Sequence, residues 1–90
     1  MKWQLEFTSK ADKQLSKLNK NTSKIIVAWL MKYINGCENP RVHGKSLTGN
    51  HAGEWCYRIG KFRVLCDIQN GRLVVLALGI SHRKDVYKEH

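Results

Sequence analysis

The sequence holds one proline, three cysteines and only seven acidic residues, and no apolar stretch is long enough to cross a membrane. Each scarcity excludes something. Cys37, Cys56 and Cys66 cannot all pair within one chain and none belongs to a CxxC, so a reducing compartment is the simpler expectation. Together with His43, His51, His82 and His90 they match no zinc spacing. The phosphate-loop order of strand, Gly-rich turn and Lys-Ser/Thr is missing, as are GxSxG and paired glycosidase-like carboxylates. The N-terminus passes from Met1 into alternating Trp3, Leu5 and Phe7 without the apolar core of a signal peptide, which predicts a cytoplasmic location and no membrane partner.

The shortage of acid leaves sixteen Lys and Arg against seven Asp and Glu, a formal charge of +9 on 90 residues. Positive potential must then cover much of the surface, and a polyanion is the natural partner. An acidic protein would be attracted as well, so charge alone does not choose nucleic acid. The length suits one core and excludes a second domain, and residues 1–90 are read as a single domain.

Residues Lys2 to Phe7 alternate polar and apolar, with Trp3, Leu5 and Phe7 on one side, the period of a half-buried strand. Ser9 followed by Asp12 has the form of an N-cap pair, and Ala11, Leu15 and Leu18 repeat at helical spacing. A short amphipathic helix is predicted to run to about Asn19, its outer face carrying Lys10, Lys13, Lys17 and Lys20. After a break, Ile26, Trp29, Leu30, Tyr33 and Ile34 form the broad apolar stripe of a second, longer helix, which Gly36 caps and Pro40 stops. Neither helix alone hides its stripe, so the pair is expected to pack on one face of a sheet. The polar stretch from Glu38 to Glu54 offers only Val42 and Leu47 as anchors and reads as an irregular surface connection, long enough to favour a functional role.

From Trp55 the pattern is that of a sheet: Trp55, Tyr57 and Ile59, then Phe62, Val64, Cys66 and Ile68, then a nearly continuous apolar run from Leu73 to Ile80. Gly60-Lys61 fits the mirror-type turn that takes Gly first, and Asn70-Gly71 is a two-residue turn signal. The expected fold class is α+β, two N-terminal helices packed on a small antiparallel sheet, with the Leu73 to Leu78 run as a central strand.

If Ile59 stands opposite Phe62, Arg58 is directly opposite Arg63 on the same face. Like charges so opposed disfavour the fold. An anion lying between or above them would explain the pair, because guanidinium groups meet phosphate oxygens in bidentate fashion. The alternative is that both arginines fan into water or pair with a carboxylate such as Asp67. Cys56 shares the arginine face in this register and Cys66 lies on the other, so the two should not bridge. The tail that follows the last strand holds Ser81, His82, Arg83, Lys84 and Tyr87. Antiparallel pairing that brings Phe62 near Gly79 would start this tail close to the arginine pair. His82 has the ordinary pKa suited to proton transfer near neutrality, against the commoner role of a plain surface histidine. Tyr87 could stack on a base or seal the sheet edge.

At WCYRIGKFR (Trp55 to Arg63), at GISHRKDVY (Gly79 to Tyr87), and along the ENPRVHGKSLTG approach, the sequence resembles the RelE/ParE superfamily of bacterial toxins, in particular its RelE-like branch. The resemblance extends over nearly the whole chain. It implies helices packed against an antiparallel sheet, a RelE-like fold, and neutralisation by a cognate antitoxin protein of a type II toxin–antitoxin system. RelE-like members are translation-dependent ribonucleases that enter the ribosomal A site and cut the exposed mRNA, whereas ParE-like members poison DNA gyrase. Residue by residue, the basic hairpin positions match Arg58 and Arg63, and the tail matches Arg83 and Tyr87. The chain departs from the pattern at Cys56, where a further basic residue often occurs, and at Ser81, where a tail arginine can occur.

The resemblance therefore implies a metal-independent endoribonuclease without a cofactor, in which a 2′-hydroxyl attacks the adjacent phosphate to leave a 2′,3′-cyclic phosphate and a 5′-hydroxyl. Arg58 and Arg63 would stabilise the charge gathering on the phosphoryl oxygens, with Arg83 adding a phosphate contact. His82 and Tyr87 are the proton-transfer and base-orienting candidates, and Lys45, Lys61 and Lys84 are expected to bind RNA. A ParE-like gyrase inhibitor and a non-enzymatic nucleic-acid-binding module are the rival expectations.

Overall fold

The alternation of Trp3, Leu5 and Phe7 is realised as strand β1 (Gln4–Phe7), followed by helices α1 (Ser9–Lys17) and α2 (Lys20–Tyr33), a single 3-10 turn at Pro40–Val42, and strands β2 (Lys45–Ser46), β3 (Trp55–Ile59), β4 (Phe62–Gln69) and β5 (Val74–His82). The computed structural model describes residues 2–47 and 53–82. Among them, five strands form one sheet in the order β1-β5-β4-β3-β2. Ala11 and Leu15 of α1, and Ile26 and Leu30 of α2, pack with Tyr57, Val64, Cys66, Val75 and Ala77 in one core, so both helices cover one face of the sheet. The α+β class read from the sequence holds, and the apolar run lies from Val74 to Leu78 in an interior strand as its two-faced hydrophobicity required, with Leu73 in the loop before it. Strand β1 pairs parallel to β5, Gln4 opposite Val74, while the other three pairings are antiparallel. The helices and the remaining strands supply the long crossover that a parallel pair needs. Among the described residues, no helix is long and apolar enough to cross a membrane.

The first helix is capped by Thr8 and not by Ser9. Thr8 is still held at the end of β1, its N–H donating to the Ala77 carbonyl at 3.0 Å. From there its hydroxyl accepts from the Ala11 N–H (3.1 Å) and donates to the Leu78 carbonyl (3.2 Å), joining the start of α1 to β5. Asn19 caps α2 by accepting from the Asn21 N–H at 2.8 Å. The far end of α2 is laced to β1: Gly36 N–H donates to the Trp3 carbonyl (2.7 Å) and Trp3 N–H donates to that of Cys37 (2.9 Å).

Two expectations about the long connection and the last hairpin are corrected. Val42 is no anchor, being 70% exposed; Pro40 is buried instead. Its carbonyl accepts the Tyr57 hydroxyl at 2.7 Å, and the His43 carbonyl accepts Trp55 Nε1 at 2.8 Å. Burial pushes the Tyr57 hydroxyl well above the ordinary phenol range, so it stays a donor. Gly44 then crosses the edge of β3 with φ +77°, where a Cβ would fall 2.7 Å from Trp55 Nε1 and 2.8 Å from the Tyr57 ring. Only glycine fits both the backbone angle and that space. At the last hairpin, β4 and β5 are joined by four residues, Asn70 to Leu73, and not by Asn70-Gly71 alone, because Gln69 pairs with Val74. Leu73 takes the unusual φ of +54°, which its carbonyl's bond from the Gln4 N–H (2.9 Å) holds in place.

Replacing Gly44 with alanine is expected to cost about 2 kcal/mol or more, read as a lower urea midpoint. Tyr57→Phe, which leaves the buried Pro40 carbonyl without its donor, should cost about 1–3 kcal/mol by the same measurement. Among the three thiols, Cys37 is half-buried while Cys56 and Cys66 are buried, so mild alkylation of the folded protein should label Cys37 first, as peptide mapping would show.

Candidate functional site

A turn with Gly60 at φ +59° joins β3 to β4 in the expected mirror-type geometry. Its register places Ile59 opposite Phe62 and Arg58 opposite Arg63, as read from the sequence. Side chains two apart on a strand share a face. Lys45, paired with Cys56 on the neighbouring strand, therefore joins Arg58 and Arg63 on the face turned away from the helices. Arg58 and Lys45 are exposed and Arg63 is half-buried. The buried Cys56 thiol lies among these three cations: burial raises it, and Arg63, Lys45 and Arg58 act in the opposite direction. A face with two guanidinium groups and an ammonium around one small apolar floor offers donors to an anion's oxygens from several directions. The Asp67 carboxylate accepts from Gln69 Nε2 at 3.1 Å.

The tail is placed differently from the expectation. Phe62 faces His82, not Gly79, which pairs with Leu65. The four-residue loop moves the register by two, and an irregularity at Leu65/Cys66 adds one more. That odd step turns every later side chain of β5 to the other side. Ser81 consequently stands opposite Arg63 on the arginine face, while His82 goes to the helix side, where its ring meets that of Phe62 at 5.1 Å and 77°. The structure thus brings together Arg58, Arg63 and Lys45 and does not bring His82 to their face. Lys61 is exposed at the tip of the hairpin turn. Arg83, Lys84 and Tyr87 lie outside the described residues. Among the described residues no three His, Cys, Asp or Glu side chains gather as a metal site would.

The sequence reading missed a second group beside this face. Trp29 and Tyr33, one turn apart on α2, meet each other at 5.0 Å and the His43 ring at 5.5 and 5.1 Å. The signal was the width of the α2 apolar stripe: Tyr33 is 38% exposed, more aromatic surface than packing on a sheet demands.

The family model described as "ParE toxin of type II toxin-antitoxin system, parDE" matches residues 5–87. Among solved structures, the Mycobacterium tuberculosis RelBE2 toxin–antitoxin complex superposes with a TM-score of 0.82 at 26% identity, covering 92% of this chain and 93% of that one. The isolated Escherichia coli RelE toxin gives 0.70 at 21% identity, covering 97% and 93%. The RelB–RelE complex of Methanococcus jannaschii gives 0.63 at 17%, covering 94% and 98%. The last two likenesses are of fold alone. No curated protein sequence matches the chain. With the sheet order, the two covering helices and a family match over nearly the whole length, the chain belongs to the ParE toxin family of type II toxin–antitoxin systems.

Proposed function

We propose that this toxin acts on RNA, as a ribosome-dependent endoribonuclease that grips one message phosphate on the Arg58, Arg63 and Lys45 face. The observation that carries the reading is the Arg58–Arg63 register, which sets like charges opposite each other on one surface. An arrangement that costs stability by itself is offset when a phosphate bridges the pair, and donors held in place before the reaction are what stabilise charge developing in a phosphoryl transition state. Lys45 supports the same reading, because it provides a cation directly across from Cys56, where the resemblance leads one to look for a basic residue. In this mechanism the 2′-hydroxyl attacks, the P–O5′ bond breaks, and a 2′,3′-cyclic phosphate and a 5′-hydroxyl remain. His82 sits on the helix side of the sheet, so proton transfer by it calls for the strand end to move or for the ribosome to supply the missing alignment. Arg83 and Tyr87 follow it in sequence and remain candidates for a phosphate contact and for base stacking. The partner in the resting cell is a cognate antitoxin, as in the solved RelBE2 and RelB–RelE complexes.

A second reading, inhibition of DNA gyrase, is favoured more directly by the family match, whose model is named for ParE. It asks nothing of His82 and uses the basic face only for docking. Induced expression with mapping of mRNA 5′ ends and codon frame separates the two. Cuts in register with codons, reduced about a hundredfold or more by Arg63→Ala, are the expected result, and equal cleavage in that variant would remove the assigned role. Accumulated gyrase–DNA cleavage complexes with intact message select the second reading. Tight, salt-sensitive RNA binding without either outcome would mark a non-enzymatic binding module.

A further inference from the structure

Towards the Gly60 turn the pairing of β2 with β3 ends at Lys45–Cys56, so among the described residues Arg58 and Ile59 have no ladder partner on that side, next to the aromatic group on α2. A groove of about 390 Å³ lies there, lined by Trp29, His43, Gly44, Lys45 and Arg58. Its volume is in the range of small-ligand pockets. Trp29 forms its floor on the core side, resting against the Tyr57 ring at 5.7 Å. Tyr33 and His43 stand beside it, and all three rings meet at tilted or edge-on angles of 48° to 75°. Rings packed at such angles do not cover one another's faces as parallel stacking would. Cations surround them: Lys45 and Arg58 on the rim, and Lys32 Nζ over the Tyr33 ring at 5.2 Å. Gly44, which has no room for a side chain against β3, lets the connection run close along that edge beside the groove.

Aromatic faces bordered by cations suit an unpaired nucleobase joined to its phosphate. A basic rim with no acidic side chain among the lining residues selects an anionic ligand over a cationic one. Arg58 decides between a free nucleotide and a chain, because it belongs to the groove and to the Arg58–Arg63 pair at once. A strand whose phosphate met the pair would pass Arg58 and so run beside the groove.

We propose that the groove lined by Trp29 and His43, whose rings Tyr33 packs against, receives an unpaired base of a single-stranded RNA, one nucleotide removed from the phosphate gripped by Arg58 and Arg63. This rests on the reading that the toxin engages RNA, and adds the residues that would choose the nucleotide beside the cut. Substrate preference would then depend on α2 and the Pro40 to Lys45 connection as well as on the hairpin and tail.

The test is titration of the purified chain with a short oligoribonucleotide, 2′-O-methylated so that it cannot be cut, followed by tryptophan fluorescence. The same oligomer with abasic positions and adenosine monophosphate are the comparison ligands. The base-bearing oligomer should quench the signal, and Trp29→Phe should remove most of that quenching. Loss of the bases, or Tyr33→Leu, which leaves the core intact, should each weaken binding about tenfold. Neither should alter the dependence on salt, whereas Arg63→Ala should lower the salt slope by about one. Equal affinity for abasic and base-bearing oligomers, adenosine monophosphate binding as tightly as the oligomer, or no quenching at all would overturn the proposal. So would a Tyr33→Leu protein that binds RNA like the parent but escapes the antitoxin, since the groove would then hold a protein side chain. Base-dependent binding without message cleavage in cells would leave the groove standing and remove the ribonuclease. Cleavage undisturbed by Tyr33→Leu, with no quenching, would do the reverse.

Discussion

Everything at the basic face depends on the two-residue period of one hairpin. Gly60 can adopt the left-handed angle that starts a mirror-type turn, and that turn leaves no freedom in how β3 and β4 are aligned. Arg58 and Arg63 are therefore opposed across a ladder whose inner side chains, Tyr57 and Val64, are fixed in the core. Slipping by one residue would relieve the repulsion between the arginines, but it would turn the inner side chains of the slipped strand, Tyr57 and Ile59 if β3 moved, out to solvent, at about 1.5–3 kcal/mol for each large apolar side chain. Repulsion of about 1 kcal/mol or less between partly solvated charges cannot compete with that. The core thus holds Arg58 and Arg63 opposite each other despite their charge.

The same economy appears at the open edge of β3. Tyr57 and Trp55 each fill apolar space while offering a polar tip, and the tips reach the carbonyls of Pro40 and His43. A connection with few apolar anchors is thereby tied to the sheet by hydrogen bonds from two side chains of β3. Its path carries His43 towards α2 and Lys45 to the outer face within three residues, with Gly44 at the crossing. Two surfaces that the sheet would otherwise separate, aromatic and cationic, come to share a border.

The fold alone accommodates both toxin activities associated with the superfamily, and the difference between them lies in what must converge. An inhibitor of another protein needs complementary shape and charge over an area. A ribonuclease needs donors aimed at one phosphate and a group that moves a proton. The hairpin register gathers Arg58, Arg63 and Lys45 on one face, the kind of grouping that the first part of the second requirement calls for. The register at the end of β5 sends Ser81 to that face and His82, the histidine suited by its ordinary pKa to proton transfer, to the other.

Much of this was legible in the residues because it is local. Alternation in Trp55 to Ile59 and Phe62 to Ile68, the glycine-first turn between them and the helical stripes of α1 and α2 determined the class of fold and the opposition of Arg58 to Arg63, since neighbours in sequence set turn geometry and side-chain period. What the tertiary structure decided was everything needing two distant segments to meet. Thr8 displaced Ser9 as cap because β5 holds it, Pro40 displaced Val42 as anchor because Tyr57 finds its carbonyl, and a bulge invisible to any local pattern reversed the face of His82. A bulge is set by how a whole strand must bend to keep its apolar side against the helices, and no stretch of sequence read alone carries that information.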